Sequence, residues 1–212
     1  MTIAIGFRFH KGVLICADSQ YTVSGILKMS GKKIFRAQVG QDRLVFGIAG
    51  SVPFGKMAIE KCVRQVAMIP ANERTKSNQR QSIEKTLLNI HQEHIYIHPE
   101  FRKPGGPEFE LILTTWSHLD GLDFFYTSDT ALNEITNYYC LGYGSYLAQF
   151  VIQSIFRHKG LALHDAVRVA VHVLHQTKEH VDSCGGGSQF AYLMEDGKMS
   201  SIHGVDVRVS HR

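Results

Sequence analysis

The sequence predicts an α+β fold, a four-layer α/β/β/α sandwich in which two packed antiparallel sheets are flanked by helix pairs. Short apolar runs come in consecutive pairs joined by turns, which is typical of hairpins rather than of βαβ units. Between these blocks, apolar residues recur at spacings of three and four, which indicates helices. The blocks alternate along a chain of 212 residues, and this length fits a single domain over residues 1–212.

The first block contains two predicted hairpins. Residues 2–9 and 13–18 are apolar runs on either side of an HKG turn. Residues 32–37 and 43–50 form a second pair around VGQD. Residues 19–31, which are polar and contain Gly and Ser, are predicted to be a loop between them.

Helical periodicity begins directly after the second hairpin. The first helix is predicted from Ser51, a suitable N-cap, to Pro70, which cannot continue a helix. After a polar linker at 71–79, a second apolar pattern over 83–97 predicts another helix that ends before Pro99. The rest of the chain repeats the order of strands, helix pair and strands, at 109–116, 122–128 and 135–142, then 146–158 and 162–181, then 188–195 and 201–210.

Composition excludes several classes of function. The formal net charge is +4, and the charged residues are spread along the chain without the clustered basic patch of a nucleic-acid protein. No uncharged apolar run approaches the length of a membrane span, and no signal peptide is apparent, so we expect a cytoplasmic protein with no membrane partner. The cysteines are not paired in any CxxC motif and are expected to be reduced thiols: Cys16, Cys62, Cys140 and Cys184.

Candidate catalytic residues lie at or near the predicted strand ends. Thr2 begins the first strand, Asp18 ends the second, Lys33 begins the third and Gly47 lies in the fourth. In a sheet built from hairpins, such positions can converge on one spot.

These residues and their neighbours resemble the proteasome β-type subunits, a family of N-terminal nucleophile hydrolases, and more closely its bacterial proteasome-related branch. The family pattern is matched by Thr2, Ala17-Asp18, Gly31-Lys32-Lys33-Ile34-Phe35 and Gly47-Ile48-Ala49-Gly50. Two later motifs, GYGSYLAQF (142–150) and DSCGGG (182–187), resemble the family's turns before its third helix and after its fourth. The resemblance covers nearly the whole chain and implies the N-terminal nucleophile hydrolase fold.

The resemblance also implies a catalytic set. Removal of Met1 would free the Thr2 α-amino group, which has an ordinary pKa near ~8 and can act as the base for the Thr2 hydroxyl. Lys33 would sit beside that hydroxyl and lower its pKa, and Asp18 would hold Lys33 charged. The backbone N–H of Gly47 would be the oxyanion donor.

A late aspartate, Asp182, is also expected in the catalytic set, and two positions depart from the family pattern. The family has a serine where this chain has Tyr143, and another where it has Gly185. Both serines normally orient the threonine amine. Tyr143 could supply a hydroxyl or obstruct the site, and Ser145 or Ser183 could compensate.

The resemblance further implies a peptidase that works in a self-assembled homo-oligomeric ring on polypeptide substrates, with an ATPase unfoldase as a possible partner. Tyr21, Val45 and Ala49 would line the pocket for the residue before the cleaved bond. No cofactor is expected. His91, His94 and His98 share one helix face, but no carboxylate or cysteine completes a standard zinc set, so no metal is expected either.

A second hypothesis stays open at this point. The departures at Tyr143 and Gly185 are also what a catalytically weak or inactive scaffold or binding subunit with the same fold would carry.

Overall fold

The computed structural model describes residues 2–23, 27–103, 106–155 and 160–202. One five-stranded antiparallel sheet has the order β10-β1-β2-β11-β12, and a second has the order β5-β6-β7-β8-β9. The strands are β1 (Ala4–Phe9), β2 (Gly12–Asp18), β3 (Gln20–Val23), β4 (Leu27–Ser30), β5 (Ile34–Val39), β6 (Asp42–Gly50), β7 (Phe109–Ser117), β8 (Gly121–Ser128), β9 (Ala131–Glu134), β10 (Tyr138–Leu141), β11 (Ser188–Met194) and β12 (Met199–Ile202).

Two helix pairs cover the outer faces of the sheets. The helices are α1 (Val52–Met68), α2 (Lys76–Ile90), α3 (Ser145–Ile155) and α4 (Leu163–His180). One apolar cluster joins α1 and α2 to the second sheet, and another joins α3 and α4 to the first sheet. A third cluster fills the space between the two sheets. The predicted α/β/β/α sandwich is therefore confirmed.

The side-chain alternation of the strands produces this layering. Along β6, Leu44 and Phe46 pack toward the helices, whereas Val45 and Ala49 pack between the sheets. In α1, Gly55 permits close packing on the sheet, because a Cβ there would lie 2.6 Å from Cγ2 of Ile48.

A buried ionic cluster fixes the end of α1 against the second sheet. Arg74 donates from Nε to the carbonyl of Val66 (3.1 Å) and from Nη2 to that of Ile69 (2.6 Å), which satisfies carbonyls at the helix end. Its Nη1 also contacts Oδ2 of Asp42 at 3.1 Å. Asp42 is fully buried, and its Oδ1 lies 2.7 Å from Nδ1 of His118. The cluster therefore compensates the charge of a carboxylate that has no access to water.

Some boundaries differ from the prediction. Residues 19–31 contain β3 and β4, which pair with each other, and the β4 residues are all exposed. The four residues of β4 are too few for a clear strand pattern, and its apolar residues Leu27 and Met29 are exposed, so the polar and Gly/Ser content of the segment predicted a loop. Helix α2 begins within the predicted linker, because Thr75 caps it by accepting from the N–H of Asn78. After α2, His91–Ile95 continues as a π-helical turn.

The remaining differences concern strands and chain ends. The predicted strand 135–142 is shorter in the structure, and β9 precedes it as an additional short strand. Parts of two predictions, 156–158 of the third helix and 203–210 of the last strand, lie outside the described residues. Within the described ranges, no helix is both long enough and apolar enough to cross a membrane.

Candidate active site

Thr2 and Asp18 are brought together by the first hairpin. Ala4 pairs with Ala17, so the segment before β1 lies beside the last residue of β2. The Thr2 hydroxyl donates to Oδ1 of Asp18 at 2.7 Å, and the backbone N–H of Ile3 donates to the same oxygen at 3.1 Å. Thr2 and Asp18 are both buried, so this contact is shielded from water.

Lys33 reaches the same spot from the other sheet. It precedes β5, and its side chain is fully buried. The ammonium donates to Oδ1 of Asp18 at 2.6 Å, to Oγ1 of Thr2 and to the carbonyl oxygen of Gln20. An ammonium group has three hydrogens, so these three acceptors satisfy it completely.

Burial and charge act in opposite directions on Lys33. Loss of hydration lowers the pKa of Lys33, and the neighbouring Asp18 carboxylate partly restores it. A cation in contact with the Thr2 hydroxyl favours the deprotonated form of that hydroxyl. The arrangement can therefore lower the cost of forming an alkoxide at Thr2.

The Asp18 carboxylate is held by donors on both oxygens. Oδ1 accepts the contacts described above, and Oδ2 accepts the backbone N–H of Gly185 at 3.0 Å. This bond joins the segment between α4 and β11 to the site. Asp18 is therefore fixed in orientation, and its charge is compensated in a buried environment.

The turn before α3 packs directly on the backbone of Thr2. The N–H of Gly144 lies 3.4 Å from the Thr2 carbonyl oxygen. Gly142 has φ of 88°, and a Cβ at this position would come within 2.4 Å of the same oxygen. Tyr143, between these glycines, has a side chain that is 66% exposed. Among the described hydrogen bonds, none joins its hydroxyl to Thr2.

Gly185 leaves room for a side chain of the β2–β3 segment. A Cβ on Gly185 would lie 2.5 Å from Oε1 of Gln20, so the Gln20 amide occupies the space that a serine would need. The Gln20 amide also donates to the backbone carbonyl of Asp182 at 3.3 Å. Asp182 itself is exposed, and its contribution near the site is this carbonyl rather than its carboxylate.

The structure corrects the expected oxyanion donor, Gly47. Successive N–H groups of an antiparallel strand point alternately to its two neighbours. The N–H of Ile48 donates to the carbonyl of Lys33 (3.0 Å) on the β5 side, and that of Ser51 donates to Glu108 (2.8 Å) on the β7 side. The N–H of Gly47 therefore faces its partner Ile112 on β7 and belongs to the sheet.

Gly50, the last residue of β6, differs from Gly47 in the direction of its N–H. Its N–H faces the same edge of β6 as that of Ile48, beyond the start of β5, where β6 ends and α1 begins. Gly50 has φ of 82°, which glycine adopts readily. The sequence signal was present, since Gly50 is the second glycine of the GIAG motif, but the strand register was needed to choose between the two.

The three residues expected to line the substrate pocket lie in different environments. Val45 and Ala49 are fully buried in the cluster between the sheets, so they do not line an open pocket. The cause is again strand alternation, which turns both side chains toward the first sheet. Tyr21 is half-buried and packs over Gly31, where a Cβ would lie 2.5 Å from Cε1 of the ring. Of the three, Tyr21 alone stays beside the segment that leads into Lys33.

The histidines are distributed over separate contacts. His91 is buried, with Nδ1 2.8 Å from the carbonyl oxygen of Leu87, whereas Nε2 of His94 lies 3.3 Å from Nζ of Lys61. Among the described residues, no group of three or more His, Cys, Asp or Glu is placed to hold a metal ion.

Comparison with known proteins covers nearly the whole chain. The family model for the proteasome subunit matches residues 2–193, which is most of the chain and includes Thr2, Asp18 and Lys33. The chain belongs to the proteasome subunit family. No curated protein matches it.

Solved structures show the same fold for this proteasome-family chain. Anbu, an ancestral β-subunit from Yersinia bercovieri, has a TM-score of 0.78 at 15% identity, over 94% of this chain and 86% of that one. The Anbu complex of Pseudomonas aeruginosa, described as a helical assembly, has a TM-score of 0.79 at 12% identity, over 97% and 88%. Anbu from Hyphomicrobium sp. strain MC1 has a TM-score of 0.76 at 13% identity, over 96% and 88%. At these identities the likeness is one of fold.

Proposed function

We propose that this proteasome-family chain is a threonine hydrolase that cleaves peptide bonds, with Thr2 as its nucleophile once removal of Met1 frees the Thr2 amine. The observation that carries the proposal is the contact of the buried Lys33 ammonium with both Thr2 Oγ1 and Asp18. A buried ammonium next to a hydroxyl is costly to maintain and offers little for stability alone, and it suits activation of a nucleophile.

The reaction begins with proton transfer from the Thr2 hydroxyl to the free Thr2 amine, while Oγ attacks the carbonyl carbon of the substrate. The Lys33 cation stabilises the charge that develops on Oγ. The carbonyl oxygen becomes negative and is stabilised by the N–H of Gly50, a contribution of about 3 kcal/mol to the barrier for one such donor. The protonated amine then gives its proton to the leaving amine. Water hydrolyses the ester on Thr2 and regenerates the hydroxyl.

The test combines intact mass with a threonine-directed electrophile. The purified protein should lack the mass of Met1, and an epoxyketone should add once to the wild type and not to Thr2→Ala. Thr136→Ala is a matched control, since Thr136 is exposed and its substitution should leave the adduct unchanged. A wild type that forms no adduct although Met1 is absent would refute the hydrolase proposal.

The second hypothesis, a scaffold or binding subunit without activity, is favoured by one observation. At Gly185 the Asp18 carboxylate meets a backbone N–H, and no serine hydroxyl is present there to orient the Thr2 amine. The adduct experiment separates the two, because an inactive subunit would fold and assemble but stay unmodified.

We also propose that the chain assembles with copies of itself into a ring or helix that encloses the polypeptide substrate, in the cytoplasm and with an ATPase unfoldase as partner. An exposed aromatic stripe supports self-assembly: Tyr143, just before α3, and Tyr146 and Phe150, within it, are 66%, 68% and 71% exposed. An apolar patch of this kind typically marks an interface. The Pseudomonas aeruginosa Anbu complex is described as a helical assembly.

Self-assembly is tested by the mass of particles in solution. Phe150→Glu should reduce the fraction of large particles in light scattering, because a charge would have to be buried in the interface. Ile97→Glu, at an equally exposed residue far from the stripe in sequence, is the control and should leave assembly intact. A wild type that is monomeric at micromolar concentration would contradict the proposal.

A further inference from the structure

Gln189 makes hydrogen bonds to the backbone at the start of β5. It lies on β11, opposite Ala17 of β2, in the first sheet. Its Oε1 accepts the backbone N–H groups of Lys33 (2.9 Å) and Ile34 (3.3 Å), and its Nε2 donates to the carbonyl of Gly31 at 2.7 Å. These acceptors and donors fit only one orientation of the amide.

These bonds join the two sheets at the backbone of Lys33. Ala17 is part of the cluster between the sheets, so the Gln189 side chain extends from the inner face of the first sheet to the head of β5 in the second. We call this set of three hydrogen bonds the cross-sheet bridge. The Lys33 carbonyl is held separately by the N–H of Ile48 in the second sheet. The Lys33 backbone is therefore fixed from both sheets.

The sheets carry different parts of the candidate active site. Asp18 ends β2 of the first sheet and Thr2 directly precedes β1 of the same sheet, whereas Lys33 directly precedes β5 of the second. The distances from the Lys33 ammonium to Thr2 and Asp18 therefore depend on how the start of β5 packs against the first sheet. The cross-sheet bridge is a polar connection between the sheets directly at this position.

We propose that Gln189 is a positioning residue for the threonine hydrolase reaction, which sets the Lys33 ammonium against Thr2 and Asp18 by fixing the Gly31–Ile34 backbone. This rests on the proposed function for its catalytic consequence and on the hydrogen bonds alone for its geometric one. It acts through Lys33 and has no contact with the reacting atoms.

The physical basis is that small displacements matter at this site. Without the amide, the buried N–H groups of Lys33 and Ile34 lose their acceptor and the segment must move to find water. The ammonium moves with it and becomes better hydrated. Displacements of about 1 Å in a catalytic group can cost about 100-fold in rate, so even a partial shift is measurable.

The test compares Gln189→Met, Gln189→Asn and Gln38→Met. Methionine keeps the length of the side chain without strong hydrogen bonding, and asparagine keeps the amide but is one methylene too short to reach. Gln38 is the matched control, because it is an exposed glutamine on β5, the strand that Gln189 contacts, and its amide contacts only the nearby Gly40 carbonyl in the described hydrogen bonds. The probe for reactivity is the rate of epoxyketone adduct formation at saturation, with its half-saturation concentration.

Both Gln189 variants should lose at least about tenfold in the saturated adduct rate, with the half-saturation concentration within about threefold of wild type. The pKa of Lys33, followed by NMR of its ε-carbon against pH, should rise toward the ordinary lysine value in the same variants, because burial is what lowers it. Gln38→Met should change neither. Should Gln189→Met fail to fold, Gln189→Asn is judged by the same two readouts.

Two results would overturn the proposal. One is folded Gln189 variants whose adduct rate matches that of Gln38→Met, and the other is a lost rate with an unchanged Lys33 pKa, which would indicate a merely structural role. If the wild type lacks Met1 and still forms no adduct, the proposed hydrolase function fails by itself. The Lys33 pKa then still decides whether Gln189 positions the ammonium.

Discussion

Gly142→Ala is a sharp test of how the turn before α3 supports Thr2. An alanine Cβ at this position would lie 2.4 Å from the Thr2 carbonyl oxygen, whereas ordinary contacts begin at 3.4 Å. The turn and Thr2 must therefore separate by about 1 Å, the size of a displacement that costs about 100-fold in rate. The positive φ of Gly142 adds a backbone cost of about 1–2 kcal/mol for a residue with a Cβ.

Gly121→Ala separates these two effects. Gly121 has φ of 96°, but a Cβ there would meet nothing within 4 Å. Both variants should lose stability in urea unfolding from backbone strain, and only Gly142→Ala should also lose the epoxyketone adduct rate. If folded Gly142→Ala reacts within about threefold of the Gly121→Ala rate, the turn does not position Thr2 and the reasoning is wrong.

Three other predictions use the buried groups of the fold. Because burial lowers the pKa of Lys33, its ammonium loses the proton at a pH below the ordinary 10.5. The adduct rate should therefore fall as the pH rises through the lowered pKa of Lys33. Lys33→Arg should remove this alkaline decline, and a wild-type rate that stays level up to pH 10.5 would contradict the assignment. Arg74→Met should lower the free energy of unfolding in urea by about 3 kcal/mol, since it leaves the buried Asp42 without its cation. Lys56→Met, which removes an exposed pair, should cost less than about 0.5 kcal/mol, and equal losses would refute the argument. The four buried thiols should not react with Ellman's reagent at about pH 8 in the folded protein, because burial raises the pKa even of Cys184 to about 11. All four should react in urea. Rapid reaction of the folded protein would contradict this prediction.

Much of the fold was predictable because its signals are local. Alternating apolar runs with turn residues between them predicted the first hairpin, and the structure has it as β1 and β2. The period of the apolar residues predicted both helix pairs. In β4 the strand has only four residues, all exposed, and the surrounding polar, Gly and Ser residues led to the prediction of a loop.

The candidate site divides in a similar way. Thr2, Asp18 and Lys33 were proposed from residue type and motif order, and the structure brings their side chains into contact. Gly47 was proposed from the same motif, yet its N–H belongs to the ladder with β7. The motif identifies the two glycines, but it does not determine the direction of their backbone N–H groups.

The sequence by itself determined the layers of the fold and the residue types at the site, because apolar periodicity and turn residues are properties of neighbouring positions in the chain. Only the tertiary structure decided that the N–H of Gly47 belongs to the ladder with β7, since the N–H direction depends on the register of β6 with both neighbours. It also decided that Gln189, 156 residues from Lys33 along the chain, holds the Lys33 backbone. Such a contact depends on how two sheets pack, and no local pattern encodes that distance.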